Sequence, residues 1–139
     1  MQHIEIVHTP LFGRVMRIDG CFMTSERDEF FYHEPMIHLP AITHGGVRQA
    51  LIVGGGDGGA AHNLLRYPGM QRVVLAELDD AVIDMAREWL PAVHRGAFDD
   101  PRMEVHLGDG RAFIESCEAQ FDQIVLDLTD PTGPAVALY

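Results

Sequence analysis

An α/β fold is predicted, in which a parallel sheet with helices on both faces follows a short antiparallel β element. Three observations predict it. From Gln49 onward, apolar extended runs alternate with helical patterns, as in a parallel sheet wrapped by its crossover helices. The first of those runs, Leu51-Ile52-Val53, breaks into Gly54-Gly55-Gly56-Asp57-Gly58-Gly59 and then into the helix-forming Ala60-Ala61-His62-Asn63-Leu64-Leu65. A strand that stops in Gly-x-Gly-x-x-Gly and resumes as helix opens a nucleotide-binding βα unit. Near the start, Asp19-Gly20 joins two extended runs, and both positions of a two-residue hairpin turn require positive φ.

Taken in order, Ile4–Val7, Arg14–Ile18 and Cys21–Thr24 read as short strands, so residues 1–24 form an N-terminal β-hairpin element. Residues 25–48 read as a linker and a short helix. Pro35 fits a helix without strain only in its first turn, which places the start near His33 or Glu34 and leaves Phe30 to Tyr32 at a bend. Residues 49–139 form a Rossmann-like domain of the methyltransferase type. Its strands are expected at Ala50–Val53, Val73–Ala76, Met103–Leu107 and Gln123–Leu126, and its helices at Ala60–Tyr67, Asp80–Leu90 and Arg111–Cys117. Asp79-Asp80 is placed to cap the second helix, and Pro91 with the loop His94 to Pro101 ends the connection after it.

The 139 residues are 47% hydrophobic, enough for one domain that buries about two-thirds of its unfolded surface. The formal net charge of −11 disfavours nucleic acid and anionic membranes and favours cationic ligands. No apolar run approaches the roughly 20 residues of a membrane span. Cys21 and Cys117 have no Cys-x-x-Cys spacing, and no basic-then-apolar leader opens the sequence, so a reducing cytoplasm is expected.

Ligands of an open α/β sheet bind beyond the carboxyl ends of its strands, and here each of those ends carries an acid. Asp57 follows the first strand, Glu77 the second, Asp109 the third, and Asp127 and Asp130 the fourth. Glu77 stands about 20 residues beyond the glycines, where such folds hold ribose hydroxyls, although it also reads as a capping or solvated carboxylate. Asp109, between Gly108 and Gly110, can accept from an exocyclic amine or can make an ordinary turn. Asp57 would repel a pyrophosphate from the glycine loop, which weakens a dinucleotide reading and favours a nucleoside bearing positive charge. Asp127 and Asp130 can hold an ammonium group or take its proton, while Asp130 before Pro131 also reads as a turn. Phe30, Phe31 and Tyr32 are core aromatics by default, with the Tyr32 hydroxyl the one that could enter a pocket. No metal site is expected, because His33 to His38 has one residue too many for His-Glu-x-x-His and Pro35 interrupts the helix. His62, His94 and His106 read as surface or helix-end residues.

Several motifs lie outside this generic framework: Gln2-His3-Ile4-Glu5-Ile6, Leu11-Phe12-Gly13-Arg14-Val15, Glu26 to Glu34, Gly96 to Arg102, and Asp127-x-Thr129-Asp130-Pro131-x-Gly133-Pro134-Ala135. With Gly54 to Gly59 and Gly108-Asp109-Gly110, they resemble spermidine synthase, a polyamine aminopropyltransferase, over nearly the whole chain. The resemblance implies transfer of an aminopropyl group from decarboxylated S-adenosylmethionine, a co-substrate rather than a tightly bound cofactor, to putrescine, giving spermidine and methylthioadenosine. It implies Asp127 as general base, Tyr32, His33 and Asp130 around the amine, and Asp57 on the donor's ammonium group. Gln2, Glu77, Asp109, Gly110 and Pro134 would contact the adenosyl part. It also implies a homo-oligomer joined around the β-rich start.

The chain departs from the family in being shorter at both ends, in Leu128 where serine is usual, and in Pro35. Two alternatives follow: an inactive fragment that binds methylthioadenosine or polyamine, and an S-adenosylmethionine-dependent methyltransferase. A sheet that stops at its fourth strand would also leave an unpaired edge.

Overall fold

The computed structural model describes residues 2–118 and 120–129. Three antiparallel strands open it: β1 (Ile4–Thr9), β2 (Gly13–Ile18) and β3 (Cys21–Ser25), in the order β1-β2-β3. Asp19 and Gly20 take φ of 51° and 80°, the paired positive values that the hairpin turn requires. His3 N–H donates to Asp19 Oδ1, and Asp19 N–H returns a bond to the His3 carbonyl, which locks the turn against β1.

Helix α1 spans Phe30–His44 and contains both Pro35 and Pro40. The expected short helix starting near His33 or Glu34, with a bend over Phe30 to Tyr32, is therefore corrected. An interior proline costs a helix about 3 kcal/mol. Packing works against this cost, because Ile37 and Ala41 are buried under the sheet. Gln123 Nε2–H adds a bond to the Ile37 carbonyl, tying the helix to the last strand.

The second sheet is wholly parallel. Its strands are β4 (Gln49–Gly54), β5 (Arg72–Glu77), β6 (Met103–Leu107) and β7 (Gln123–Asp127), in the order β6-β5-β4-β7. Between them lie α2 (Gly59–Leu65), α3 (Asp80–Trp89), α4 (Pro91–His94) and α5 (Gly110–Ser116), with a 3-10 turn at Ala97–Asp99. Strands and main helices fall within two residues of their expected bounds. Pro91, read as part of the end of a connection, instead starts α4, where its missing N–H would have no helical partner anyway. Asp79 caps α3 by accepting from Ala81 N–H.

Ala50, Ile52, Val73, Leu75 and Val125 face α1 to α4 and form the main core. Leu51, Val74 and Ala76 face the other way, with Phe113 of α5 and Phe121 packed on them. Sheet progression reverses at β4, which has β5 on one side and β7 on the other, and the carboxyl ends of β4 and β7 open there. No helix among the described residues is long and apolar enough to cross a membrane.

Candidate functional site

A cleft of about 780 Å³ lies over this switch point, where an open α/β sheet holds its ligands. Gly54 pairs with Asp127 across β4 and β7, and Gly55 N–H donates to the Asp127 carbonyl at 2.9 Å. A Cβ on Gly54 would stand 2.2 Å from that carbonyl oxygen, so only glycine lets the two strand ends close. Glu77, at the end of β5, is buried and accepts from Leu78 N–H at 2.8 Å, Asp79 N–H at 3.1 Å and Gly56 N–H at 3.2 Å. Burial nevertheless raises its pKa, partly offset by those three bonds.

One wall of the cleft is a cluster of charged side chains. His33 on α1 is 1% exposed. Its Nδ1 lies 2.7 Å from Glu29 Oε2, and its Nε2 lies 3.5 Å from Asp57 Oδ2 and 3.8 Å from Asp127 Oδ2. Gly59 makes room for this ring, since a Cβ there would stand 2.2 Å from His33 Cε1. Asp57 is braced by Gly59 N–H at 2.8 Å. Tyr32, one residue before the buried histidine, reaches over the cleft and donates its hydroxyl to Asp127 Oδ1 at 2.9 Å.

Charge sets the protonation of this wall. Burial opposes a charged His33, but the Asp57 carboxylate, followed by Glu29 and Asp127, overcomes it and pushes the ring up to about 10. Asp57 is also opposed by burial, and the His33 cation holds it below the usual carboxylate range. Asp127 goes the other way. Burial and the neighbouring Asp57 charge push it up to about 6, against the pull of His33 and the Tyr32 bond. Its Oδ2 is buried with no hydrogen-bond partner among the described residues.

His33 Nε2, Asp57 and Asp127 place three potential ligand atoms within 4.8 Å of one another. A metal ion would have to displace the proton from Nε2 to bind there. An ammonium group needs only acceptors, and the Asp57 and Asp127 carboxylates that line the cleft supply them.

Those of the expected site residues that are described fall around one cleft. Gln2, Tyr32, Asp57, Glu77, Asp109, Gly110 and Asp127 line it, and His33 stands behind Asp57 and Asp127. Asp109 also caps α5, accepting from Arg111 and Ala112 N–H through Oδ1. Asp130 and Pro134 lie outside the described residues. The default reading of the aromatic trio as core is corrected, because Phe30, Phe31 and Tyr32 are 41%, 75% and 50% exposed. His94 sits at the end of α4 but is buried, accepting from Gly96 N–H, while His106 is exposed on β6.

Two parts of the site were not foreseen. Glu29 is buried and ion-paired with His33, a partnership one helical turn apart that a helix starting at His33 conceals. Met16, Ile18, Phe22 and Met23 of the antiparallel sheet supply an apolar roof. Period-2 alternation in β2 and β3 marks buried faces without telling which of them overhangs a cleft.

The spermine/spermidine synthase domain family matches residues 29–139. The polyamine aminopropyltransferase of Nitrosomonas europaea is 81% identical over 139 residues, covering 100% of this chain and 43% of that protein. That of Bacillus subtilis is 44% identical over 138 residues, covering 99% of this chain and 50% of the relative. A crystal structure of spermidine synthase in complex with the transition state analogue AdoDATO superposes with a TM-score of 0.92 at 39% identity, covering 97% of this chain and 46% of the other. Spermidine synthase from Thermotoga maritima gives 0.87 at 38% identity, covering 91% and 45%. The chain thus spans about half the length of the curated relatives it matches.

Proposed function

The chain belongs to the spermine/spermidine synthase domain family, and we propose that its cleft takes part in aminopropyl transfer from decarboxylated S-adenosylmethionine to putrescine. The observation that carries this reading is the buried wall of Asp57, His33 and Asp127 at the sheet's switch point, where two carboxylates that line the cleft flank one buried histidine. Such a wall suits ammonium groups and repels anions.

In this reading Asp127 takes a proton from the putrescine ammonium. A carboxyl pushed up to about 6 is ionised at neutral pH, yet basic enough to act as acceptor. The freed amine nitrogen attacks the propyl carbon next to the sulfonium. A C–N bond forms, the C–S bond breaks, and its electron pair neutralises the sulfur, releasing methylthioadenosine. Tyr32 fixes the Asp127 carboxylate, and Asp57 and Asp130 hold the ammonium ends of the two substrates. Glu77, Asp109, Gly110, Gln2 and Pro134 receive the adenosyl part. Because the sulfonium is already a good leaving group, alignment supplies much of the acceleration.

Division of the chain at about residues 24 and 48, a cytoplasmic location consistent with two free cysteines, and assembly into a homo-oligomer belong to the same proposal. The test is to incubate the protein with decarboxylated S-adenosylmethionine and putrescine and to measure methylthioadenosine. Release that stops in Asp127→Asn is expected, and no release by the wild type would sink the activity for this chain.

A second reading is binding of methylthioadenosine or polyamine without turnover. Calorimetry that gives saturable methylthioadenosine binding without product formation supports it. A methyltransferase is disfavoured by Asp57, which would repel the carboxylate of S-adenosylmethionine. Tighter binding of that compound than of its decarboxylated form would reverse this.

A further inference from the structure

Glu29 is the one buried carboxylate of this cluster that does not line the cleft. It stands at the N-terminal end of α1, where an acid would ordinarily cap free backbone N–H groups, yet its side chain makes no capping bond. Instead Oε2 meets His33 Nδ1 at 2.7 Å, and Oε1 meets Arg95 Nη2 at 3.4 Å. Arg95 is itself held at the residue that ends α4, with φ of 45° and its Nε–H bonded to the Ala92 carbonyl. A relay thus runs from the surface guanidinium through Glu29 and His33 to Asp57 and Asp127.

We propose that Glu29 is a positioning residue for the amine subsite: it grips the His33 ring at Nδ1, so that Nε2–H is held between Asp57 and Asp127. This deepens the functional reading above and rests on it only for the name of the ligand. His33 has one rotatable ring and carboxylates on two sides, so the Glu29 grip decides which edge faces the cleft. The cation it fixes there lets Asp57 and Asp127 stand close together without a bound amine.

The groups that face His33 come from every packed element. They are Glu29 before α1, Asp57 from the glycine loop, Asp127 from β7 and the more distant His62 of α2. Arg95 acts on Glu29, and Tyr32 and Glu77 act on Asp127. Glu29 is the only carboxylate among them that touches Nδ1.

The test is long-range proton–nitrogen spectroscopy of the His33 ring in the whole ¹⁵N-labelled chain, without ligand, across neutral and alkaline pH. The wild type is expected to hold protons on both ring nitrogens. In Glu29→Gln, which keeps an acceptor but removes the charge, the ring's titration midpoint falls by at least about one pH unit. Arg95→Ala leaves the buried pair in place and removes a cation from beside Glu29, so the midpoint rises, by less than Glu29→Gln lowers it, which gives a second variant should Glu29→Gln fail to fold. A His33 titration unchanged in both variants overturns the proposal. So does a wild-type ring that is neutral at pH 7 with a bare Nε2. Putrescine that binds by calorimetry without moving the His33 ring signals overturns it as well. The ring readout needs no turnover, so a chain that releases no methylthioadenosine but shows the expected titration loses only the functional reading.

Discussion

The Tyr32 hydroxyl and Asp127 Oδ1 lie 2.9 Å apart, joining the first helix to the last strand across the mouth of the cleft. This bond favours the ionised carboxylate, whereas burial and Asp57 favour its protonated form. Calorimetric putrescine affinity should therefore rise as pH passes through about 6 in the wild type. In Tyr32→Phe the same rise should move to higher pH, with affinity at the wild-type midpoint weaker by roughly 3- to 10-fold. An unmoved midpoint would count against the hydroxyl's part in tuning Asp127.

Asp127 also makes a prediction about stability. Its carboxyl is pushed from an ordinary 3.8 up to about 6, so the folded chain holds that proton more tightly than the unfolded chain does. The stabilising contribution is full below 3.8 and is lost as pH rises to about 6, which leaves a destabilisation of up to about 3 kcal/mol above that range. Asp127→Asn removes the charge at nearly constant shape. Its thermal midpoint should exceed that of the wild type above about pH 7 and converge with it below about pH 4. A variant less stable than the wild type above neutrality would contradict the sign. The expected result also says why such a carboxylate would be kept at all, since stability alone argues against it.

The features that were legible in the sequence are those written locally. Alternating strand and helix patterns, the Asp19-Gly20 turn, the Asp79 cap and the acid after each strand are each encoded within a few residues, and the topology rule for open sheets then collects the acids at one end. The start of α1 was not legible, because the local cost of Pro35 is outweighed by the burial of Ile37 and Ala41 against a sheet formed later in the chain. That misplacement hid Glu29, whose partnership with His33 exists only if the helix already turns at residue 29. The exposure of Phe30 and Phe31 had no local signature either. Their rings stack on each other at 4.3 Å and lie outside the core.

Gly59 carries a reason for glycine that no motif states. The third glycine of Gly-x-Gly-x-x-Gly ordinarily permits close packing of helix on strand, whereas here its missing side chain is filled by the His33 imidazole. Gly59→Ala should lower stability by about 1–3 kcal/mol through overpacking and should move the His33 ring resonances. Gly69→Ala, at a position with nothing within 4 Å, should stay within about 0.5 kcal/mol of the wild type. Equal effects of the two substitutions in thermal unfolding would deny the ring-to-glycine fit.

Strand β7, at one end of the described sheet, makes a prediction about association. Ile124 and Leu126 on β7 are 52% and 60% exposed, and they continue the apolar surface of Leu51 and Val53, which lie opposite them on β4. Among the described residues α5 covers that face over β5 and leaves the β7 end open. Exposed apolar residues on a strand that, among the described residues, is paired along one edge only are a template for another chain, and the overall charge of −11 acts against such pairing through long-range repulsion. Raising the salt concentration screens that repulsion while leaving the apolar attraction intact. The weight-average mass in sedimentation equilibrium should therefore rise with salt, and Ile124→Lys should lower it at every salt concentration. Ile124 is exposed, so the substitution should leave the thermal midpoint close to that of the wild type. A mass that falls with salt, or that ignores the lysine, would place the association elsewhere on the surface.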